Sequence, residues 1–154
     1  EPVPSGYRLP TEAEWERAAA WDASTSTHYW FGIQSNTIDE GRANYHHANP
    51  LGLSSEPETS PVGYYTDQPS PVGCYDMSGN VWEWCQDWYY QDYYDEGEQT
   101  NPLPPDPDLF AGMGVVKRGG AWNSLEYNVR VAYRIGYYAT NLEDWVGFRV
   151  ARTP

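Results

Sequence analysis

The chain has 154 residues, one domain's length, and aromatic residues make up 16% of it. Asp and Glu total 22 against 9 Lys and Arg, which gives a net charge of -13. Nucleic acids and anionic membranes are bound by positive surfaces, so this charge argues against both as partners, while hard cations such as calcium are compatible with it. No apolar run approaches the roughly 20 residues of a membrane span.

One amphipathic helix is predicted near the start of the chain. Thr11 is suited to cap it, and Glu14 three residues later completes a capping box. Trp15, Ala18 and Ala19 then recur at helical spacing. The helix is therefore predicted from about residue 11 to about residue 21.

A long segment without sustained periodicity follows, from residue 22 to residue 73. It is dense in Gly, Pro, Ser, Asn and Thr, which predicts turns and loops. Tyr64 and Tyr65 are compatible with one short strand. A loop of this length in a compact domain is usually functional or tied down, for example by a bound ion.

The middle of the chain holds the clearest strand signal. Turn residues 76–80 precede a predicted strand from Val81 to Tyr89. Alternation divides its side chains between two faces, with Trp82, Trp84 and Trp88 on one and Val81, Glu83, Cys85 and Asp87 on the other. Residues 91–112 are acidic and Pro-rich and are predicted to form a surface excursion.

Three further strand signals close the chain, at Val115–Arg118, Val129–Arg134 and Val146–Ala151. One helix and several short strands predict an α+β fold that is mostly loop, with a small antiparallel sheet. Cys74 and Cys85 are the only cysteines, which excludes a disulfide-dense scaffold and leaves a bridge between them open.

Four segments match the motifs of one family in order. They are GYRLPTEAEWE at 6–16, RANY at 42–45, GCYDMSGNVWEWC at 73–85, and RGGAWN at 118–123 with further arginines and GFR up to residue 149. The chain thereby resembles the formylglycine-generating enzyme, or sulfatase-modifying factor, family, whose fold is related to that of C-type lectins.

The resemblance implies a single loop-rich α+β domain over residues 1–154, with a small antiparallel sheet and about one to two helices. The N-terminal part of the usual family domain has no counterpart before residue 1. Either the chain is a compact variant, or a missing N-terminal segment or a second chain completes the fold.

The family's oxidase members hold copper(I) with two cysteines in the segment after the Gly-Gly pair, because copper(I) prefers thiolate ligands. Here Ser124 stands where the first thiol would be, and the second has no counterpart. The resemblance therefore implies no copper and argues against formylglycine synthesis. The related sulfoxide synthases keep their iron histidines mainly in another domain, so His46 and His47 are interpreted as surface or packing residues.

The resemblance also implies calcium, at the central motif and at a second site. Calcium takes about 6–8 oxygen ligands from side chains and backbone. The residues implied are Gly79, Asn80, Val81 and Glu83 for the first site, and Asn44 and Tyr45 for the second. The structural alternative is that Asn80 caps its turn and Glu83 pairs with an Arg. The arginines that match the family are interpreted as ties to loop carboxylates, namely Arg130, Arg134 and Arg149.

The remaining candidate is a ligand-binding face between Trp122 and Val146. Its Tyr, Ser, Asn and Gly content is typical of adaptable binding surfaces, and retroelement-diversified receptors of this fold vary in the same region. A fixed face without diversification is the alternative. The candidate ligand-binding residues are Trp122, Asn123, Ser124, Tyr127, Asn128, Tyr133, Ile135, Tyr137, Tyr138 and Asn141.

The sequence thus favours a non-catalytic ligand-binding module for a protein or cell-surface ligand, at an extracellular or cell-surface location. Two alternatives stay open. One is an oxidase or sulfoxide-synthase type of enzyme whose site a missing part completes. The other is a structural subunit of an envelope or secretion assembly.

Overall fold

The computed structural model describes residues 6–96, 114–140 and 142–153. Helix α1 spans Glu12–Ala20. The strands are β1 (Gly6–Arg8), β2 (Trp21–Asp22), β3 (Thr27–His28), β4 (Trp82–Trp88), β5 (Val115–Arg118), β6 (Arg134–Tyr137), β7 (Val146–Phe148) and β8 (Ala151–Thr153). Short 3-10 helices cover Tyr93–Glu96 and Glu126–Val129.

The largest sheet has four strands in the order β6-β5-β4-β7. Strand β5 runs antiparallel to both of its neighbours, whereas β7 runs parallel to β4. Two smaller antiparallel sheets pair β1 with β8 and β2 with β3. The predicted loop-rich α+β fold is confirmed. Its central sheet is mixed because the chain crosses from β6 to the opposite edge before β7 begins.

The predicted capping box begins α1. Thr11 Oγ1 accepts the Glu14 N–H at 3.2 Å, and the Glu14 carboxylate accepts the Thr11 N–H at 2.8 Å. One side of the helix then packs on the central sheet, where Trp15 and Ala19 join Cys85 in a buried cluster. Burial of this apolar stripe stabilises the helix more than its intrinsic propensity does.

The face of the central sheet toward α1 also carries buried charge. Glu12 is 1% exposed, and its carboxylate accepts hydrogen bonds from Arg134 at 2.6 and 2.7 Å. Arg118 forms ion pairs with both Glu12 and Glu16. Asp87 Oδ2 accepts the Glu12 N–H at 2.7 Å, and burial raises the pKa of the Asp87 carboxyl to about 6. These pairs join the first turns of α1 to β4, β5 and β6.

The strand predicted at Val129–Arg134 is wrong, because the chain forms a 3-10 helix and a turn there before β6 begins. Val129 and Val131 are both fully buried, which imitates the alternation of a strand. The Val131 N–H donates to Trp30 O at 2.8 Å instead of to a neighbouring strand. Val129 and Val131 are therefore buried because their loop packs on the loop around Trp30, and not because they belong to a strand.

Other predicted strands also differ from the structure. Tyr64 and Tyr65 lie in turns. The signal at Val146–Ala151 covers parts of two strands, because β7 belongs to the central sheet and β8 pairs with β1. In the predicted surface excursion, Tyr93 is buried, and the part from residue 97 to residue 112 lies outside the described residues.

Candidate ligand-binding face

Main-chain hydrogen bonds hold the loop after the Gly-Gly pair from two sides. The Trp122 N–H donates to Asn80 O at 2.9 Å, which ties the loop to the central turn. The His46 N–H donates to Ser124 O at 2.9 Å. The His47 N–H donates to Trp122 O at 2.8 Å. Because these bonds are formed by the backbone, most side chains of the loop can change without breaking them.

The Gly-Gly pair lets the loop pack closely on the residues that follow it. Gly120 has a φ of 72°, in the left-handed region that favours glycine. A Cβ atom at Gly120 would lie 2.6 Å from Val129 Cγ1. The loop therefore leaves β5 along a path that a larger residue at this position would block.

Several of the predicted ligand-binding residues support the loop from within. Trp122 and Ser124 are 1% and 8% exposed. Ser124 Oγ accepts the Ala121 N–H at 2.9 Å. Asn128 Oδ1 accepts the Leu125 N–H at 3.2 Å. Trp122, Ser124 and Asn128 were predicted to face a ligand, but their side chains are buried in the loop or hydrogen-bonded to it.

Tyr127 and Tyr138 are the most open of the predicted ligand-binding residues, at 51% and 58% exposure. Asn123 is half-buried. Asn141 lies outside the described residues. Tyr127 and Tyr138 are therefore the most accessible predicted ligand-binding residues within the described part of the chain, and Leu125 and Leu142 of the same segment are also exposed.

Aromatic side chains continue from the loop onto the outer side of the central sheet, opposite α1. The rings of Tyr127 and Tyr133 lie 5.8 Å apart, and those of Tyr133 and Trp82 lie 6.0 Å apart. Further along, Trp84 and Tyr137 are separated by 6.5 Å. We call this surface the aromatic face, and it comprises Trp82, Trp84, Tyr127, Tyr133, Ile135 and Tyr137.

Lys117, which sequence reasoning did not single out, lies within this face. It is in register with Trp84 of β4 and Ile135 of β6. Its side chain is 2% exposed, and Nζ lies 3.7 Å from the centroid of the Tyr137 ring. Burial lowers the pKa of the Lys117 ammonium to about 8. Alternation puts Lys117 on the same side of β5 as Val115, but this pattern does not show from the sequence that Lys117 is buried.

The predicted side-chain calcium ligands of the central motif, Asn80 and Glu83, both have hydrogen-bond partners within the chain. The Glu83 carboxylate accepts hydrogen bonds from Arg149 at 2.5 and 2.6 Å and from Trp15 Nε1 at 2.6 Å. Asn80 Oδ1 instead accepts the Ser60 N–H at 2.9 Å. Because a cation of the chain already holds both of its oxygens, Glu83 does not fit a calcium ligand. Its pairing with an Arg is the structural alternative stated above.

The residues around Asn44 fit a calcium ligand set better. Asn44 is 1% exposed, and no donor among the described residues reaches its Oδ1, while its Nδ2 donates to Glu58 O at 2.8 Å. A buried oxygen without a donor is free to bind a cation. Tyr45 follows it, and Gly79 lies so close that its Cβ would be 2.3 Å from Asn44 O. Val81 and Gly79 could add only main-chain carbonyls.

His46 and His47 are half-exposed and lie beside the loop of the candidate face. His46 Nδ1 lies 3.1 Å from a Glu40 oxygen, and His47 Nδ1 lies 3.0 Å from a Glu58 oxygen. The His47 ring contacts Trp122 edge-on, with 5.2 Å between centroids. Both imidazoles thus lie at the surface beside carboxylates, and their interpretation as surface or packing residues rather than a metal site stays a prediction.

Cys74 and Cys85 are both free thiols, so the open possibility of a bridge is not realised. Burial raises the pKa of the Cys85 thiol, which lies in the core cluster below α1. Across residues 6–96, 114–140 and 142–153, no three His, Cys, Asp or Glu side chains converge to hold a metal ion. Nor does any helix in those ranges have the length and apolarity to cross a membrane.

Comparisons with known proteins agree on one family. The FGE-sulfatase model, described as a sulfatase-modifying factor enzyme 1-like domain, matches residues 3–154. The serine/threonine-protein kinase pkn1 of Chlamydia pneumoniae is 39% identical over 147 residues, which is 96% of this chain and 21% of that protein. The formylglycine-generating enzyme of Streptomyces coelicolor is 34% identical over 156 residues, covering 96% of this chain and 47% of that enzyme.

A solved structure shares the fold. Treponema denticola variable protein 1 superposes with a TM-score of 0.70 and 33% identity, covering 97% of this chain and 49% of that chain. The chain therefore spans about half the length of this protein and of the Streptomyces enzyme, and a smaller part of the kinase.

Proposed function

Because the chain belongs to the sulfatase-modifying factor enzyme 1-like family, we propose that it uses this fold as a ligand-binding module, with the segment from residue 122 to residue 146 as its binding face. The resemblance seen in the sequence is confirmed by the family match, and the function is our inference from the face. We propose a protein or cell-surface ligand as its target.

One observation carries this proposal: exposed tyrosines stand on a loop whose path is fixed by the backbone. Tyr127 is half-exposed, while the loop that carries it is bonded through Trp122 N–H, Trp122 O and Ser124 O. Tyr side chains supply large contact areas at a low entropic cost of ordering. Such a face can change its specificity while the fold persists.

The similarity to a protein named as variable supports a finer proposal, that this face is diversified by a retroelement. Deep amplicon sequencing across the source population tests it. Codons for Tyr127 and Tyr138 are expected to vary heavily, while those for Gly119, Gly120 and the GFR segment at 147–149 stay constant. Exposed Tyr7 serves as the internal control, because it lies on β1. If the codon for Tyr127 varies no more than the codon for Tyr7, diversification is refuted and a fixed binding face remains.

Binding itself is tested with matched tyrosine variants. The chain is screened against arrays of glycans and of extracellular protein domains, together with a Tyr127→Ser/Tyr138→Ser variant and a Tyr7→Ser/Tyr64→Ser control. All four side chains are more than 40% exposed, at 51%, 58%, 73% and 43%, so neither pair disturbs the core. Ligands of the proposed face are lost only in the first variant. Ligands retained by that variant, or an array without ligands, contradict the proposal.

An enzyme of the broader family is the second candidate, favoured by the similarity to a formylglycine-generating enzyme. Its test is incubation with copper(I) and a cysteine-containing peptide, followed by mass spectrometry. Our proposal expects no aldehyde product, because Ser124 is occupied by the Ala121 N–H and neither cysteine lies after the Gly-Gly pair. Peptide oxidation would establish the enzyme instead.

We further propose a calcium ion at Asn44, supported by the unpaired buried oxygen there. Calcium would fix the loop at residues 44–60 against the central turn and so support the binding face. Calcium is expected to raise the melting temperature of the chain and not that of an Asn44→Ala variant, since binding only to the folded state stabilises it. Asn36→Ala, which removes an exposed loop contact, is the control. A calcium shift that survives in Asn44→Ala would place the ion elsewhere.

A further inference from the structure

Lys117 is the only lysine of the chain, and it is 2% exposed. Among the described residues, no hydrogen bond or ion pair involves its Nζ; the ammonium contacts the rings of Tyr137, at 3.7 Å, and Trp82, at 5.3 Å. Buried charges in proteins are nearly always paired, because the loss of hydration is otherwise uncompensated. Within the described residues, Lys117 is therefore a buried cation without a directly bonded anion, which makes it a candidate anion-binding group.

The buried arginines show the usual arrangement by contrast. Arg118 and Arg134 both bind the Glu12 carboxylate, on the α1 side of the same sheet. Lys117 alternates with Arg118 along β5, so the two point to opposite faces. The side that carries Lys117 is the aromatic face, where ring contacts compensate only part of the lost hydration.

We propose that Lys117 binds the carboxylate of a ligand whose planar ring lies on the aromatic face. This inference rests on the proposed function of that face and names the class of ligand. Charge complementarity selects an anion for the unpaired ammonium, and the flanking Trp84 and Tyr137 rings favour a flat apolar body beside it. The ligand class is a carboxylate joined to an aromatic or similarly planar ring.

The ligand must move one side chain to reach the ammonium. Lys117 is 2% exposed, and the Tyr137 ring lies directly against Nζ. The Tyr137 hydroxyl donates to Glu143 Oε1 at 2.8 Å. Glu143 is also the carboxylate whose field stabilises the charged Lys117. A ligand carboxylate would take over this role, so Glu143 acts as its competitor.

Protonation sets the pH dependence of this binding. Burial lowers the pKa of Lys117 to about 8, and a bound carboxylate would raise it. Affinity is therefore expected to be constant below that pH and to fall roughly tenfold per pH unit above it, until the pKa of the bound state is reached. The other polar groups facing Nζ are the Tyr137 hydroxyl-bearing ring and the Glu143 carboxylate.

The sole lysine makes a direct measurement possible. In protein labelled with carbon-13 lysine, the side chain of Lys117 gives a single Cε resonance, which reports its pKa. Benzoate is the probe, and benzamide is its neutral counterpart of the same shape. We expect benzoate to shift the Cε resonance saturably and to raise the pKa of Lys117, and benzamide to do neither. No saturable shift, or equal shifts from both compounds, would overturn the inference.

Two variants complete the test. Glu143→Gln keeps an acceptor for the Tyr137 hydroxyl but removes the competing charge, so benzoate affinity should rise by about threefold to tenfold. Lys117→Met should abolish benzoate binding measured by calorimetry, with near-ultraviolet circular dichroism as the folding control. An array ligand that Tyr127→Ser/Tyr138→Ser loses and Lys117→Met retains would refute this inference alone. A ligand that both Tyr127→Ser/Tyr138→Ser and Lys117→Met still bind would refute the proposed function.

Discussion

At the residue scale, Glu83 shows how a motif residue serves the fold. It is 5% exposed and receives hydrogen bonds from Arg149 of the GFR segment and from Trp15 of α1. A buried carboxylate with these partners joins three distant parts of the chain. The resemblance to the family implied that Glu83 is a calcium ligand, because a sequence motif alone does not show which cation a carboxylate contacts.

Arg149→Met is expected to destabilise the chain by about 3 kcal/mol, because it leaves the buried Glu83 carboxylate without its cation. Urea unfolding followed by fluorescence measures the change. Arg152→Met is the matched control, since Arg152 is exposed and lies over the Tyr7 ring, a contact worth about 0.5–1 kcal/mol. Equal losses from the two substitutions would show that the buried pair contributes little.

The buried Asp87 predicts a measurable dependence on pH. Burial raises its pKa to about 6, above the unfolded value near 3.9, so the folded state holds the proton more tightly. Its contribution to stability is therefore greatest below about pH 4 and is lost as pH rises through 6. Asp87→Asn keeps an oxygen for the Glu12 N–H and should stabilise the chain near pH 7 by roughly 2 kcal/mol.

Melting curves of the two proteins near pH 4.5 and pH 7 check this. The difference between wild type and Asp87→Asn isolates the one carboxylate from all others. The difference in melting temperature between the two proteins should be smaller at pH 4.5 than at pH 7. A gap that is equal at both values would mean that Asp87 stays ionised in the folded state.

At the element scale, the sequence predicted what local signals determine and missed what distant contacts determine. Helix α1 was found because its capping box and its apolar stripe act within a few residues. Strand β4 was found because its alternation is long. The Val129–Arg134 strand failed because its buried valines pack on a loop about 100 residues earlier, which no local pattern reports.

The turn before β4 needs glycine at position 79 for two reasons, its left-handed backbone and the lack of space for a side chain. Gly79 has a φ of 88°, and a Cβ there would lie 2.3 Å from Asn44 O. Gly79→Ala should therefore cost at least about 4 kcal/mol. Gly52→Ala is the matched control: its φ of 62° is also left-handed but no atom lies within 4 Å, so about 1–2 kcal/mol is expected.

Thermal unfolding of both glycine variants separates backbone strain from steric overlap. Only Gly79→Ala is expected to lose cooperative folding near room temperature. Similar melting temperatures for the two would show that the loop at Asn44 moves aside at little cost, and would remove the tight junction argued for the binding face.

At the scale of the whole molecule, the sequence indicated where the candidate face lies. It did not show which of its side chains are exposed or that it contains a buried cation. The Tyr content of the last third indicated a binding surface, and the structure connects Tyr133 and Tyr137 with Trp82 and Trp84 of β4. Lys117 could not be weighed from the sequence, because a lysine beside an arginine in a short strand looks solvated until the register is known. Ser124 and Asn128 seemed ligand-facing because turn residues and paratope residues have the same composition.

The net charge of -13 makes the whole molecule sensitive to salt. Excess carboxylates repel one another across the surface, and this repulsion is stronger in the compact folded state than in the expanded unfolded chain. Raising NaCl from about 20 to about 200 mM shortens the Debye length from roughly 20 to 7 Å, so the repulsion is screened. The melting temperature should rise by about 2–4 °C, equivalent to ~1 kcal/mol.

KCl at the same ionic strength should give the same rise, because screening does not depend on the identity of the monovalent cation. At matched ionic strength, calcium should raise the melting temperature more than NaCl or KCl only if a specific site binds it. This comparison separates the ion proposed at Asn44 from general screening. A melting temperature that falls with salt would mean that attractive pairs outweigh the repulsion. The buried pairs that Glu12 and Glu83 form with Arg134 and Arg149 are little screened, so such a fall would have to come from exposed pairs such as Arg8 with Glu14.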